Sequence, residues 1–288
     1  MPNVLDIRRR IRSVKNTQQI TRAMKMVAAA RLRRAQEHVL GARPYADQML
    51  TVLASVAARI EAGERAAHPL LARRPIKKIL LVLITADRGL AGAFNANLIR
   101  AAQYYIGAHR DQEVLLIAVG RKGRDFFRKR PVDMIGDYPN VVGRGLDFSH
   151  AQEIARRVIE AYADGTVDAV DFIYNEFKSI MTQRVRVERY LPVKPFEPAQ
   201  GEPLVDYLYE QPPAEIFAAL MPRYVEAEVF RALLESQAAE FAAKMTAMDA
   251  ATNNAGELID TLTLNLNRVR QAAITREIIE IVSGASAQ

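Results

Sequence analysis

The sequence predicts an α/β protein in which a central doubly wound domain is joined to two long terminal helices that pair as an antiparallel coiled coil. Three observations predict it. Both ends of the 288-residue chain are nearly free of glycine and proline and carry apolar residues at three- and four-residue steps. The ends are also oppositely charged: residues 1–60 hold 12 Lys or Arg against 3 acids, and residues 212–288 hold 6 against 10. Between them, continuous apolar runs alternate with helical stretches, as parallel strands covered on both faces require.

The first element, residues 1–60, begins at Pro2-Asn3, where Asn3 can serve as N-cap and Asp6 stands three residues on in the capping-box position. Its apolar stripe runs through Val4, Ile7, Ile11 and Val14, continues at Ile20, Met24 and Val27, and reaches Leu32, Ala35 and Val39. Arg43-Pro44 is expected to bend this helix and not to end it, because good helix formers resume from Tyr45 to Ile60. The last element, residues 214–288, is assigned Pro222 as a first-turn proline and has only Gly256 before Gly284. Met248, Ala251, Ala255, Ile259, Leu262, Leu266, Val269 and Ala273 form one seam on it. About sixty helical residues span roughly 90 Å, whereas a globule of this size is about 50 Å across, so the helices should extend beyond the globular part. A helix with one apolar seam needs a partner in water, and the basic first helix complements the acidic last one.

The middle, residues 75–193, reads as strand Lys77–Ile84, helix Ala96–Tyr105, strand Val114–Gly120, a short segment Asp125–Lys129, helix Ser149–Ala163, and strands Asp168–Phe177 and Val185–Val193. Residues 194–213 contain five prolines and read as a linker into the last helix.

The absence of cysteine excludes disulfides, thiolate metal sites and thiol redox chemistry. The longest apolar runs, Ile79–Ile84 and Val114–Val119, fall far short of the ~20 residues that span a bilayer. His38, His68, His109 and His150 fall in different elements without metal-ligand spacing, so no metal or cofactor is expected. The sharpest candidate site is TADRGLAGAFN, Thr85–Asn95, a glycine-containing turn directly after the first strand, where a dinucleotide loop would sit. It has neither GxGxxG nor GxxxxGK[ST], and Gly120-Arg121-Lys122-Gly123 replaces the acid expected after the second strand. A tight turn that packs helix on strand and points Asp87 and Arg88 at a partner is the reading adopted. A nucleotide-binding enzyme is the alternative.

The run Ile7–Arg34 has ten Lys or Arg and no acid. A mitochondrial transit peptide and a nucleic-acid arm both suit that bias. Against the first stand the scarcity of serine and a sustained seam that needs a partner; against the second, no aromatic interleaves the basic residues for stacking on bases. The basic outer face of a helical rod is preferred, with a nucleic-acid-binding coiled coil kept as a second alternative.

The segment Ile274–Ala287, ITREIIEIVSGASA, resembles the C-terminal signature of the gamma subunits of rotary F-type ATP synthases. Ser13–Gln36 resembles that family's first helix, TADRGLAGAFN its first-strand loop, and the stretches Tyr207–Ser236 and Met248–Thr275 its return helix. The likeness covers essentially the whole chain in order. It implies a Rossmann-like middle domain and a non-catalytic central-stalk rotor that transmits torque between a proton-driven membrane ring and catalytic β subunits. It implies as partners an α/β hexamer around the rod, the epsilon subunit and the membrane rotor c-ring, with no nucleic acid and no direct lipid insertion. The location implied is a peripheral complex on the cytoplasmic face of a bacterial inner membrane. Contacts with the α/β sleeve are implied for Met24, Lys25, Arg31, Arg33, Arg34, Asp87, Arg88, Gly89, Lys244, Gln271, Thr275 and Glu277. The coiled-coil seam is expected to comprise Ile7, Ile11, Val14, Ile20 and Val27 with Met248, Ala255, Ile259, Leu262, Leu266, Val269 and Ala273.

Overall fold

A computed structural model describes residues 4–61, 63, 68–143, 145–194 and 210–286. The expected N-cap Asn3 and residues 195–209 of the expected linker lie outside the described residues. In chain order the elements are α1 (Val4–Ala57), a 3-10 turn (Pro69–Leu71), β1 (Lys78–Ile84), α2 (Phe94–Ala108), β2 (Glu113–Val119), α3 (Arg121–Phe127), β3 (Met134–Tyr138), α4 (Phe148–Ala163), β4 (Ala169–Phe177), β5 (Gln183–Leu191) and α5 (Pro213–Ser286). They form two compact units: Met1–Ala29 with Lys244–Gln288, and Ala30–Ala243.

The larger unit is built on a five-stranded sheet ordered β3-β2-β1-β4-β5, parallel except for β5, which pairs antiparallel with β4. β1 lies at its centre and every residue from Ile79 to Ile84 is buried. Its side chains alternate between the two faces. Leu80, Val82 and Ile84 join one core with Ile154 and Val158 of α4, Leu53 and Val56 of α1, and Met221 and Val225 of α5. Ile79, Leu81 and Leu83 join the other, with Leu98 and Ala102 of α2 and Phe127 of α3. Continuous hydrophobicity in this strand is therefore the signature of a sheet covered on both sides.

Among the described residues, two prolines lie inside helices. Pro44 removes one donor from α1, but the helix continues because Met49, Leu53 and Val56 beyond it are buried in the core. The expectation that α5 begins near Pro222 is corrected: Pro213 occupies the first turn, where its missing N–H costs nothing, and Pro222 is internal. Phe217 and Met221 before it, and Val225 and Val229 after it, are buried on one face and hold both turns in place. The sequence reading assigned no strand to Met134–Tyr138, whose five residues include Gly136 and follow Pro131 closely.

A polar cluster is buried between α2 and the β4–β5 pair. Asp171 of β4 is cross-strand partner to Arg189 of β5, which donates Nε to Oδ1 at 2.9 Å and Nη2 to Oδ2 at 2.8 Å. The Tyr105 hydroxyl of α2 donates to the same carboxylate. Burial, together with that bond, pushes the Tyr105 hydroxyl pKa up, and the carboxylate raises that of Arg189. Asp171→Ala is expected to cost about 2–3 kcal/mol in denaturant unfolding, less than for a fully buried pair, because the Arg189 side chain keeps 36% of its surface in water. A loss below about 0.5 kcal/mol would show that the cluster adds nothing to stability.

Three of the four histidines serve local structure. His68 Nδ1 accepts from the Leu70 N–H at the start of the 3-10 turn, and His150 closes a capping box with Asp147 at the start of α4. The His109 ring stacks on Tyr105 with centroids 4.1 Å apart. Among the described residues, no group of three or more His, Asp or Glu is arranged to hold a metal ion.

Candidate functional surfaces

In the smaller unit α1 and α5 run antiparallel, and polar bonds fix their register. Gln18 Nε2 donates to the Thr252 carbonyl at 3.4 Å, the Thr252 hydroxyl donates to Thr21 Oγ1 at 2.8 Å, and Lys25 Nζ donates to Asp249 at 2.5 Å. Gly256 lies under Gln18, where an added Cβ would come within 3.2 Å of Nε2. Continuing that register places Ile7, Ile11 and Val14 opposite Leu266, Leu262 and Ile259. Met248, Ala255 and Leu262 are buried on α5, and Ile259, Leu266, Val269 and Ala273 are half-buried.

On α1 the seam departs from expectation. Ile20 is 59% exposed and Val27 51% exposed, so neither belongs to it. After Val14 the seam continues through the buried or half-buried Gln18, Thr21, Lys25 and Ala28, an unbroken alternation of four- and three-residue steps from Ile7 onward, with the half-buried Met24 and Ala29 flanking it. The geometric step outranks side-chain polarity, because polar residues on the seam are satisfied by hydrogen bonds to the facing helix.

The first-strand loop is closed by its own chain. Asp87 Oδ1 accepts from the Arg121 N–H at 3.1 Å and from the Asn140 N–H at 2.7 Å. This corrects the expectation that Asp87 points at a partner: its carboxylate fills the start of α3, where a ligand phosphate would otherwise be drawn. Asn95 Oδ1 accepts from the Ala86 N–H at 2.9 Å, and Thr85 Oγ1 accepts from the Gly123 N–H at 2.9 Å. Gly120 sits at φ 90°, with space for a Cβ blocked by the Thr85 carbonyl oxygen only 2.0 Å away. The glycines after β2 therefore let β1 and α3 approach closely. Arg88 and Leu90 remain exposed, and Gly89 is half-exposed.

The remaining residues implied as sleeve contacts are spread along the two helices. The Arg33 side chain is 85% exposed and lies 3.4 Å from Glu37, one turn on. Arg34 is exposed, Met24 half-buried, and the Arg31 guanidinium lies 5.9 Å above the Phe241 ring. Lys25 is held by Asp249, so it does not project as a free charge. Lys244 is half-buried, while Gln271, Thr275 and Glu277 are exposed, the Thr275 hydroxyl being bonded to the Gln271 carbonyl. Beyond Ala273, the apolar side chains Ile274, Ile278, Ile279, Ile281 and Val282 are 47–71% exposed. Sequence reasoning missed the bonded polar layer Gln18–Thr21–Thr252 and the Tyr105–Asp171–Arg189 cluster; strict step-counting would have found the first.

A family model described as ATP synthase matches residues 3–288. The chain is 54% identical to the ATP synthase gamma chain of Solibacter usitatus over 288 residues, covering all of this chain and 99% of that one. The chain belongs to the ATP synthase gamma chain family. It is a central-stalk subunit of an ATP synthase. The gamma chain of Moorella thermoacetica is 49% identical over 287 residues, with 100% of this chain and 99% of that one covered. Among solved structures, a chain of the Tetrahymena thermophila mitochondrial ATP synthase central stalk and c-ring matches with TM-score 0.60 and 26% identity over 81% of this chain and 99% of that one. A chain of the Euglena gracilis mitochondrial ATP synthase shares the fold, with TM-score 0.69 and 20% identity over 99% of this chain and 94% of that one. Neither the nucleic-acid reading nor the nucleotide-enzyme reading finds support in these relatives. No helix among the described residues is long and apolar enough to cross a membrane.

Proposed function

We propose that the chain is the non-catalytic rotor shaft of its ATP synthase, transmitting torque between a proton-driven membrane c-ring and the β subunits of a surrounding α/β hexamer. The observation that carries the reading is the two-helix shaft with a polar-bonded register and, beyond Ala273, an exposed apolar tip. Apolar side chains at the tip can turn inside a sleeve without breaking an ion pair at each step. Arg33, Arg34 and Arg88 are exposed, and their charge would suit acidic groups on β. The α/β domain bears on the epsilon subunit and the ring, on the cytoplasmic face of the bacterial inner membrane.

The shaft acts as a ligand with unequal affinity for the β conformations. Only that inequality performs work: a contact equally strong in every conformation shifts none of them. Asymmetry is therefore the functional property, and the differing charge of the two helices supplies it. The test is co-expression with α and β: the chain should purify at one copy per hexamer. Purification alone, or with nucleic acid in place of α and β, would overturn the proposal.

A further inference from the structure

We infer that the outer edge of β3, with the basic helix α3 beside it, is a docking site for an extended acidic segment of another protein, which adds a sixth strand to the sheet. The inference is independent of the rotor reading. Among the described residues β3 pairs only with β2, leaving main-chain donors and acceptors along its other edge without a neighbouring strand. A groove of about 350 Å³ runs there, walled by Arg124, Phe127 and Arg128 of α3 and the following turn, and by Ile135, Gly136 and Asp137 of β3.

Charge decides which segment fits. Arg121–Arg130 contains six Lys or Arg and one acid, Asp125. Arg124 is engaged by Asp125 at 2.8 Å and by Asp137 at 3.5 Å, and Arg130 lies 4.1 Å over the Phe126 ring. Arg128 and Lys129 are exposed and form no ion pair among the described residues. A strand bearing Glu or Asp on the side facing α3 would satisfy the β3 edge through its backbone and these two cations through its side chains. A basic strand would be repelled, so the same charges that keep this edge from pairing indiscriminately select for acid. The apolar lining of Phe127, Val132, Met134 and Ile135 can receive the alternate apolar side chains of such a strand. The short β3, whose pairing with β2 shifts register between Met134 and Gly136, admits only a few residues of added strand.

Hydrogen exchange on the full chain tests this, with a short acetylated peptide of alternating glutamate and valine and its lysine–valine counterpart as probes. Saturating glutamate peptide should slow amide exchange across Met134–Tyr138 by about tenfold, and the lysine peptide should not. Arg128→Glu combined with Lys129→Glu should weaken glutamate-peptide binding about tenfold while exchange within β1 stays unchanged. Unaltered exchange at β3, equal protection by both peptides, or protection confined to β5 would each overturn the proposal.

Discussion

With Arg33→Cys joined by a disulfide to a cysteine on a β subunit, the assembled hexamer is expected to lose ATP turnover by about a hundredfold, and reduction should restore it. Position 33 suits the experiment because its side chain is 85% exposed and makes only an exposed pair with Glu37, whose loss costs little. On the rotor reading proposed above, the covalent bond would hold one β subunit against one face of the shaft, so rotation could no longer change the affinity of its site. The unlinked cysteine variants serve as controls for assembly and should turn over normally. Turnover that persists while the bond is intact would remove the torque mechanism outright.

Gly120→Ala is expected to destabilise the α/β domain by about 3 kcal/mol or more, measured by the shift in its denaturant midpoint. Two effects combine. A φ of 90° is strained for any residue with a Cβ, and that Cβ would fall 2.0 Å from the Thr85 carbonyl oxygen, a backbone atom at the buried end of β1 with nowhere to move. Gly145→Ala separates them. Its φ of 73° carries the same backbone penalty, but nothing lies within 4 Å of the added carbon, so a cost of only about 1 kcal/mol is expected. Equal losses at the two positions would mean that strain alone is at work and that the close approach of β1 is unimportant.

The strands of the central sheet were legible wherever hydrophobicity was continuous, because burial on both faces leaves no room for polar alternation; β1 is the clearest case. β3 was illegible for the converse reason: as an edge strand it is only half-buried and its Gly136 lowers every local preference for extended structure. The seam of α5 could be read because each step lands on an apolar residue or alanine. On α1 the apolar Ile20 and Val27 drew the reading off the true phase, since Gln18 and Thr21 are recognisable as interior positions only once Thr252 is known to face them. The first-strand loop was placed correctly by its glycines, but the direction of Asp87 depends on where the ends of β2 and β3 arrive, which is tertiary information. Likewise nothing local marks Asp171 as the partner of Tyr105 and Arg189, which lie 66 and 18 residues away.

The layer of bonded side chains at Gln18, Thr21 and Thr252 limits how the two helices can move along each other. Apolar surfaces alone would tolerate a slide of one turn, since leucine, isoleucine and alanine are nearly interchangeable across a greasy contact. Here such a slide would break the bonds that cross from Gln18 and Thr21 to Thr252, at about 1 kcal/mol for each lost bond, while the two hydroxyls keep the carbonyls of Gln18 and Met248 within their own helices. Axial creep is thereby made costly at one fixed height, and a twist applied at one end is delivered to the other with the pair still in step.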